Sequence, residues 1–216
     1  MMKKTKHIAI AVEFFILCIA LPTIIIYFNL GFYMFFFLWS ATAYCAYQLF
    51  YVGDENFAKD TWKWHQVNKE NMKPMLIRWV LGCVGMVAFL YWYEPSHLFA
   101  VASKAPFQII MIFTIYPILS ALPQELIFCS FFFHRYKIFF KTENTRIWAS
   151  AIVFAYAHVL YINPVAPILS LIGGLIFAKT YAQTRSLALV TIEHALYGNA
   201  LFFIGLGIYF WSGALA

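Results

Sequence analysis

Among the ionisable side chains inside long apolar stretches of this chain, the acids and histidines Glu13, Glu125, His158, Glu193 and His194 are the candidates for chemistry. A charge held at the centre of a membrane helix costs roughly 2.5–3.5 kcal/mol on the insertion scale, so each is a functional candidate until a structural partner accounts for it. The chemistry that a carboxylate and two imidazoles do best is activation of water. The carboxylate takes a proton from a water held by a neutral imidazole, and a second imidazole or an amide steadies the oxyanion that forms on a carbonyl substrate. The set Glu125, His158 and His194 could equally hold zinc or another divalent metal with one open position. Glu193 and His194 are sequence neighbours, so on a helix their side chains diverge by about 100° and cannot both face one centre. Glu13 lies within two helical turns of the basic N-terminus, which suits a paired or interfacial role.

These residues need helices to carry them. Apolar segments at about 8–28, 32–52, 76–93, 106–134, 147–162, 166–182 and 187–211 read as membrane spans. The fourth is too long for one straight crossing and contains Pro117 and Pro123, which predicts a kink or two pieces. The expected fold is therefore all-α, a polytopic transmembrane helical bundle of seven or eight spans. Counting helical rise from the expected cytoplasmic ends puts Glu125 about 13 Å, His158 about 17 Å and His194 about 12 Å deep. Three helices thus deliver a carboxylate and two imidazoles to one layer, in the half of the bilayer on the N-terminal side.

Composition requires lipid as the solvent: 63% of the 216 residues are hydrophobic and 11% charged, against about 25% charged in soluble domains. The net charge of +6 is a topology signal. With the N-terminus cytoplasmic, every one of the 15 lysines and arginines except Lys104 falls on the cytoplasmic side. No nucleic-acid partner is expected. In a bacterium the membrane would be the plasma membrane. The basic start and first apolar run resemble a signal peptide, but the run reaches Tyr27 without a small-residue cleavage pattern and reads as a retained span. The four cysteines sit in apolar runs without metal or redox spacing. A cytoplasmic amphipathic segment lying on the headgroups is expected near 53–75, where charges alternate with Trp62 and Trp64.

Three stretches, Gln124-Glu125-Leu-Ile-Phe-Cys129, Phe154-Ala-Tyr-Ala-His158 and His194-Ala-Leu-Tyr-Gly198-Asn199, resemble in order and spacing the motifs of the CPBP (Abi) intramembrane endopeptidases. That family includes the type II CAAX prenyl-proteases, and its motifs are Glu-Glu-x-x-x-Arg, Phe-x-x-x-His and His-x-x-x-Asn/Asp. The resemblance covers about residues 106–210. It implies a catalytic helical core at 106–216, preceded at 1–105 by helices that contribute topology. It also adds Asn199 to Glu125, His158 and His194 as catalytic candidates, with Gln124, Glu193 and Cys129 as secondary ones. The sequence departs from the pattern at three points. Gln124 replaces the glutamate usually taken as the base, Cys129 replaces the arginine, and Asn199 comes five residues after His194 rather than four.

The function this implies is an intramembrane endopeptidase. It would cleave a peptide bond in a membrane-associated or lipidated protein or peptide that reaches the site from the cytoplasmic side. Glu125 and His158 would activate water, and His194 and Asn199 would stabilise the oxyanion. Gln124 and Cys129 leave open a catalytically impaired relative serving as scaffold or immunity factor. A third class, a proton or solute transporter, would use the same buried Glu and His as a relay.

Overall fold

The computed structural model describes residues 2–52 and 60–211. All seven apolar segments are helical: α1 (His7–Tyr27), α2 (Leu30–Val52), α3 (Lys69–Tyr93), α4 (Pro106–Ile138), α5 (Glu143–Ala157), α6 (Val165–Thr184) and α7 (Leu187–Ile204). Six of them are long and apolar enough to cross a membrane. The exception is α5, whose 15 residues rise only about 22 Å and open with Glu143 and Arg146. This is an integral membrane protein, all-α among the described residues.

Loop contacts sort the helix ends into two layers. At the basic end, the Leu187 and Ala188 amides donate to the Thr61 and Trp62 carbonyls, Arg185 pairs with Glu143, and Arg135 pairs with Glu13. At the opposite end, the Phe99 amide donates to the Ile204 carbonyl, Asn163 Nδ2 donates to the Tyr209 carbonyl, and Tyr161 lies against Met34.

The expected headgroup segment takes a different form where it is described; its residues 53–59 lie outside the described chain. Trp62 and Trp64 stack on one another, Lys63 adopts a left-handed backbone (φ 40°), and the turn docks on the start of α7. Ser186 caps that helix, accepting from the Leu189 amide at 3.1 Å while donating to the Trp62 carbonyl at 2.9 Å. Asn68 then caps α3 by accepting from the Asn71 amide. Lys69–Lys73 is therefore the first turn of a long helix rather than part of a surface helix. The unmet amides at the two helix starts hold this stretch to the bundle.

The 33-residue α4 bends as its prolines predict. It is α-helical over Pro106–Tyr116, widens to π geometry over Pro117–Ala121, returns to α over Leu122–Glu125, and widens again over Leu126–Phe131. Proline lacks the amide for the i−4 bond, and a π turn absorbs the extra residue. Both widened turns border residues of the site.

Candidate active site

Glu125 and His194 form the centre. His194 Nδ1 lies 2.7 Å from Glu125 Oε1, and the two residues are 4% and 1% exposed. With Nδ1–H donated to the carboxylate, the lone pair of the neutral ring falls on Nε2. That nitrogen accepts from the Tyr116 hydroxyl at 2.9 Å. The imidazole is stacked on Phe177 (4.5 Å between centroids, 16° between planes) and meets Phe154 edge-on, so its rotamer is fixed on every side.

His158 caps α5 at its C-terminal end. Its Nδ1 lies 2.7 Å from the Phe154 carbonyl, the free carbonyl one turn back, which leaves Nε2 as an acceptor. The ring packs on the same Phe154 at 4.6 Å.

Both histidines line a cavity of about 880 Å³ together with Gln124, Tyr116, Ser120 and Tyr161. Glu125 is not in its lining; it stands behind His194, and its Oε2 has no hydrogen-bond partner among the described residues. Gln124 does face the cavity. Its Nε2 donates to Ser120 at 2.8 Å, while its buried Oε1 is unpartnered among the described residues. Cys129, buried, sets its thiol against the Glu125 carboxyl where the motif would carry a guanidinium.

Two sequence candidates sit elsewhere. Glu193, wholly buried, turns to α3, where Arg78 reaches it at 2.9 Å and also donates to Thr180. Asn199 lines a separate apolar groove between α3, α4 and α7 with Trp79, Cys83 and Phe203. Because α7 is regular from Leu187 to Ile204, a residue five positions after His194 rotates off the histidine's face. The expected joint oxyanion role for His194 and Asn199 therefore has no support in this arrangement.

The metal expectation also fails its geometric test. A zinc site needs three lone pairs aimed at one point. Here only two such lone pairs, those on the Nε2 atoms of His194 and His158, belong to side chains that line the cavity, because Glu125 stands behind the His194 ring and outside the lining. Among the described residues no group of three His, Cys, Asp or Glu side chains could hold a metal ion. The residues do not fit the metal, and no step below passes through one.

Tyr116 is the site residue that the sequence reading missed. The signal lay in Gly198: a Cβ there would meet the Tyr116 ring at 2.2 Å, so only glycine lets the phenol lie across α7 to reach His194. A Tyr-Pro pair entering a widened turn was the other clue.

Residues 106–200 match the family described as type II CAAX prenyl endopeptidase Rce1-like. That stretch, less than half of the chain, is similar to the family. No curated protein and no solved structure matches the chain. The matched stretch runs from the start of α4 to near the end of α7, so it spans Tyr116, Gln124, Glu125, His158 and His194. At the level of the family the activity is that of an intramembrane endopeptidase acting on a membrane-associated peptide.

Proposed function

We propose that this chain hydrolyses a peptide bond with His194 as general base, oriented and electrostatically supported by Glu125. The observation that carries the reading is the buried 2.7 Å contact between Glu125 and His194, on a ring whose other nitrogen meets the cavity. Water held between the Nε2 atoms of His194 and His158 attacks the substrate carbonyl carbon. As the C–O bond forms, the water proton passes to His194 Nε2, and the Glu125 carboxylate stabilises the imidazolium. The Tyr116 hydroxyl, released from Nε2 when water takes its place, donates to the oxyanion. Collapse breaks the C–N bond, and the leaving amine takes the proton from His194. This division of labour differs from the sequence expectation because His194 Nε2 carries no hydrogen to offer an oxyanion, whereas Tyr116 does.

The test uses purified protein in liposomes with two substrates, a farnesylated peptide ending in a CAAX sequence and a single-span peptide. Glu125→Ala and His194→Ala are expected to abolish cleavage of whichever substrate the natural protein turns over. Unchanged turnover in both variants refutes the assignment. A second reading rests on Gln124, an amide on the cavity wall where the family pattern has a carboxylate. It makes the natural protein an inert member of the fold, and predicts that Gln124→Glu creates hydrolysis where the natural chain shows none.

A further inference from the structure

The residues lining the cavity stop at one level. The last wall residue toward the basic end is Gly82 on α3, Gln124 on α4, Phe154 on α5, Phe177 on α6 and His194 on α7. Beyond that level the space is filled by buried side chains, among them Phe131, Phe133, Tyr136, Tyr181, Leu187 and Val190. In the other direction the walls continue to the helix ends, through Tyr93, Tyr161 and Phe210 to Trp92 and Trp211, which are 81% and 64% exposed. The histidines are thus the floor of a shaft that is plugged toward the basic face and open toward the opposite one.

The lining also restricts what can occupy the shaft. It contains no Lys, Arg, Asp or Glu, so a charged chain terminus would enter without a counter-ion and bear its full desolvation cost. The tryptophans at the open end are the residues that settle at a membrane–water interface.

We infer that the substrate reaches the two histidines from the face of the membrane opposite the basic helix ends, as an uncharged, apolar peptide segment already embedded in that leaflet. Its scissile bond lies near mid-membrane, and its charged ends stay outside the shaft. The inference rests on the hydrolase reading for what happens at the histidines, but the direction of access stands on the shape of the cavity alone.

Access is testable without activity. In the full chain carrying Cys83→Ala, which removes the one half-buried thiol among the four free cysteines, single cysteines are placed at Tyr161 beside His158 and, separately, at Met34. Reference cysteines replace the exposed Lys104 at the open end and Lys141 at the basic end. A membrane-impermeant maleimide is applied to intact cells and to inverted vesicles. Tyr161→Cys and Met34→Cys are expected to label from the side that labels Lys104→Cys, with loss of labelling from the other side. Reaction from the Lys141→Cys side, or from neither side while Lys104→Cys reacts, overturns the inference. The expected sidedness together with no cleavage of any peptide would retain the direction of access and remove the hydrolase.

Discussion

Two glutamates whose side chains are almost wholly withdrawn from solvent, Glu13 and Glu125, are each met by a nitrogen base with a tyrosine close by, and their surroundings suit them to different tasks. Glu13 receives both arms of Arg135 at 2.8 Å and the Tyr44 hydroxyl at 2.7 Å. Both of its oxygens are satisfied by groups that stay protonated, so it can only hold α1, α2 and α4 together. Glu125 is met by one imidazole, with the neutral Cys129 thiol beside it and no cation. Its tyrosine is one bond further out, on the far nitrogen of the ring. The first arrangement is a closed ion pair, while the second, on the function proposed above, is a relay whose outer end exchanges a proton with the cavity. What separates a structural carboxylate from a chemical one is therefore whether the partner can lose a proton, since burial is common to both.

The sharpest way to break the comparison is to remove each relay member. Glu125→Ala and His194→Ala should each lower kcat/KM by about 10²–10⁴-fold, the usual worth of positioned general base catalysis. Glu13→Gln should leave kcat/KM near the natural value. Equal losses at the two glutamates would erase the distinction. The next effect should come from the hydroxyl. Tyr116→Phe removes the oxyanion donor and is expected to cost about 10²-fold, in kcat rather than KM. Gly198→Ala should cost a similar amount, because its new methyl displaces the Tyr116 ring. If the two act through one contact, the double variant loses little more than either alone. Additive losses would mean that Gly198 matters for another reason.

These pairs also mark how far the sequence could be read. Seven helical segments, the bent fourth one, and the delivery of Glu125 and His194 to one depth all followed from hydropathy, proline positions and helical rise, because lipid forces the backbone to satisfy itself. Which of Gln124 and Glu125 would face the cavity was not legible in the same way. Gln124 and Glu125 are adjacent, and only the widened turns of α4 set the amide on the wall and the acid behind His194. Asn199 illustrates the same limit, since its place hung on whether α7 stayed regular. Tyr116 was hidden for a different reason. A tyrosine in an aromatic-rich chain carries no signal until the glycine facing it is known.

The Glu13 cluster is tested by stability. Glu13→Gln leaves the Arg135 guanidinium inside the bundle without its counter-charge, which costs about 3–5 kcal/mol for a fully buried pair. Arg135 is 25% exposed and retains some water, so a loss near about 3 kcal/mol in detergent unfolding is expected. Restoring neutrality with Glu13→Gln/Arg135→Met should recover part of it, since a double replacement removes the orphaned charge. A double variant no more stable than Glu13→Gln would show that the pair is not what holds those helices.

The smallest effect concerns a third glutamate, at the open end of the shaft. Glu94 accepts from the Tyr209 hydroxyl at 2.5 Å and meets His97 Nε2 at 2.9 Å. These bonds, with Tyr209 the larger influence, hold its carboxyl below the ordinary value of 4.5. Burial and Glu94 itself push the Tyr209 hydroxyl up, so it remains a donor throughout the acidic range. An acid whose folded value is depressed contributes stability that is fully present above its unfolded value and is lost as pH falls through the folded one. Thermal midpoints of the natural chain and Glu94→Gln, measured in detergent from pH 7 downward, should therefore differ by a constant amount while the pH stays above the ordinary carboxyl range, and converge as it falls through the depressed value. Because Tyr209 is next to Phe210, whose ring lies against His158, the convergence should bring a rise in impermeant labelling of Tyr161→Cys. Midpoints that stay parallel to the lowest pH would show that this carboxylate, unlike the other two, has no hold on the fold around it.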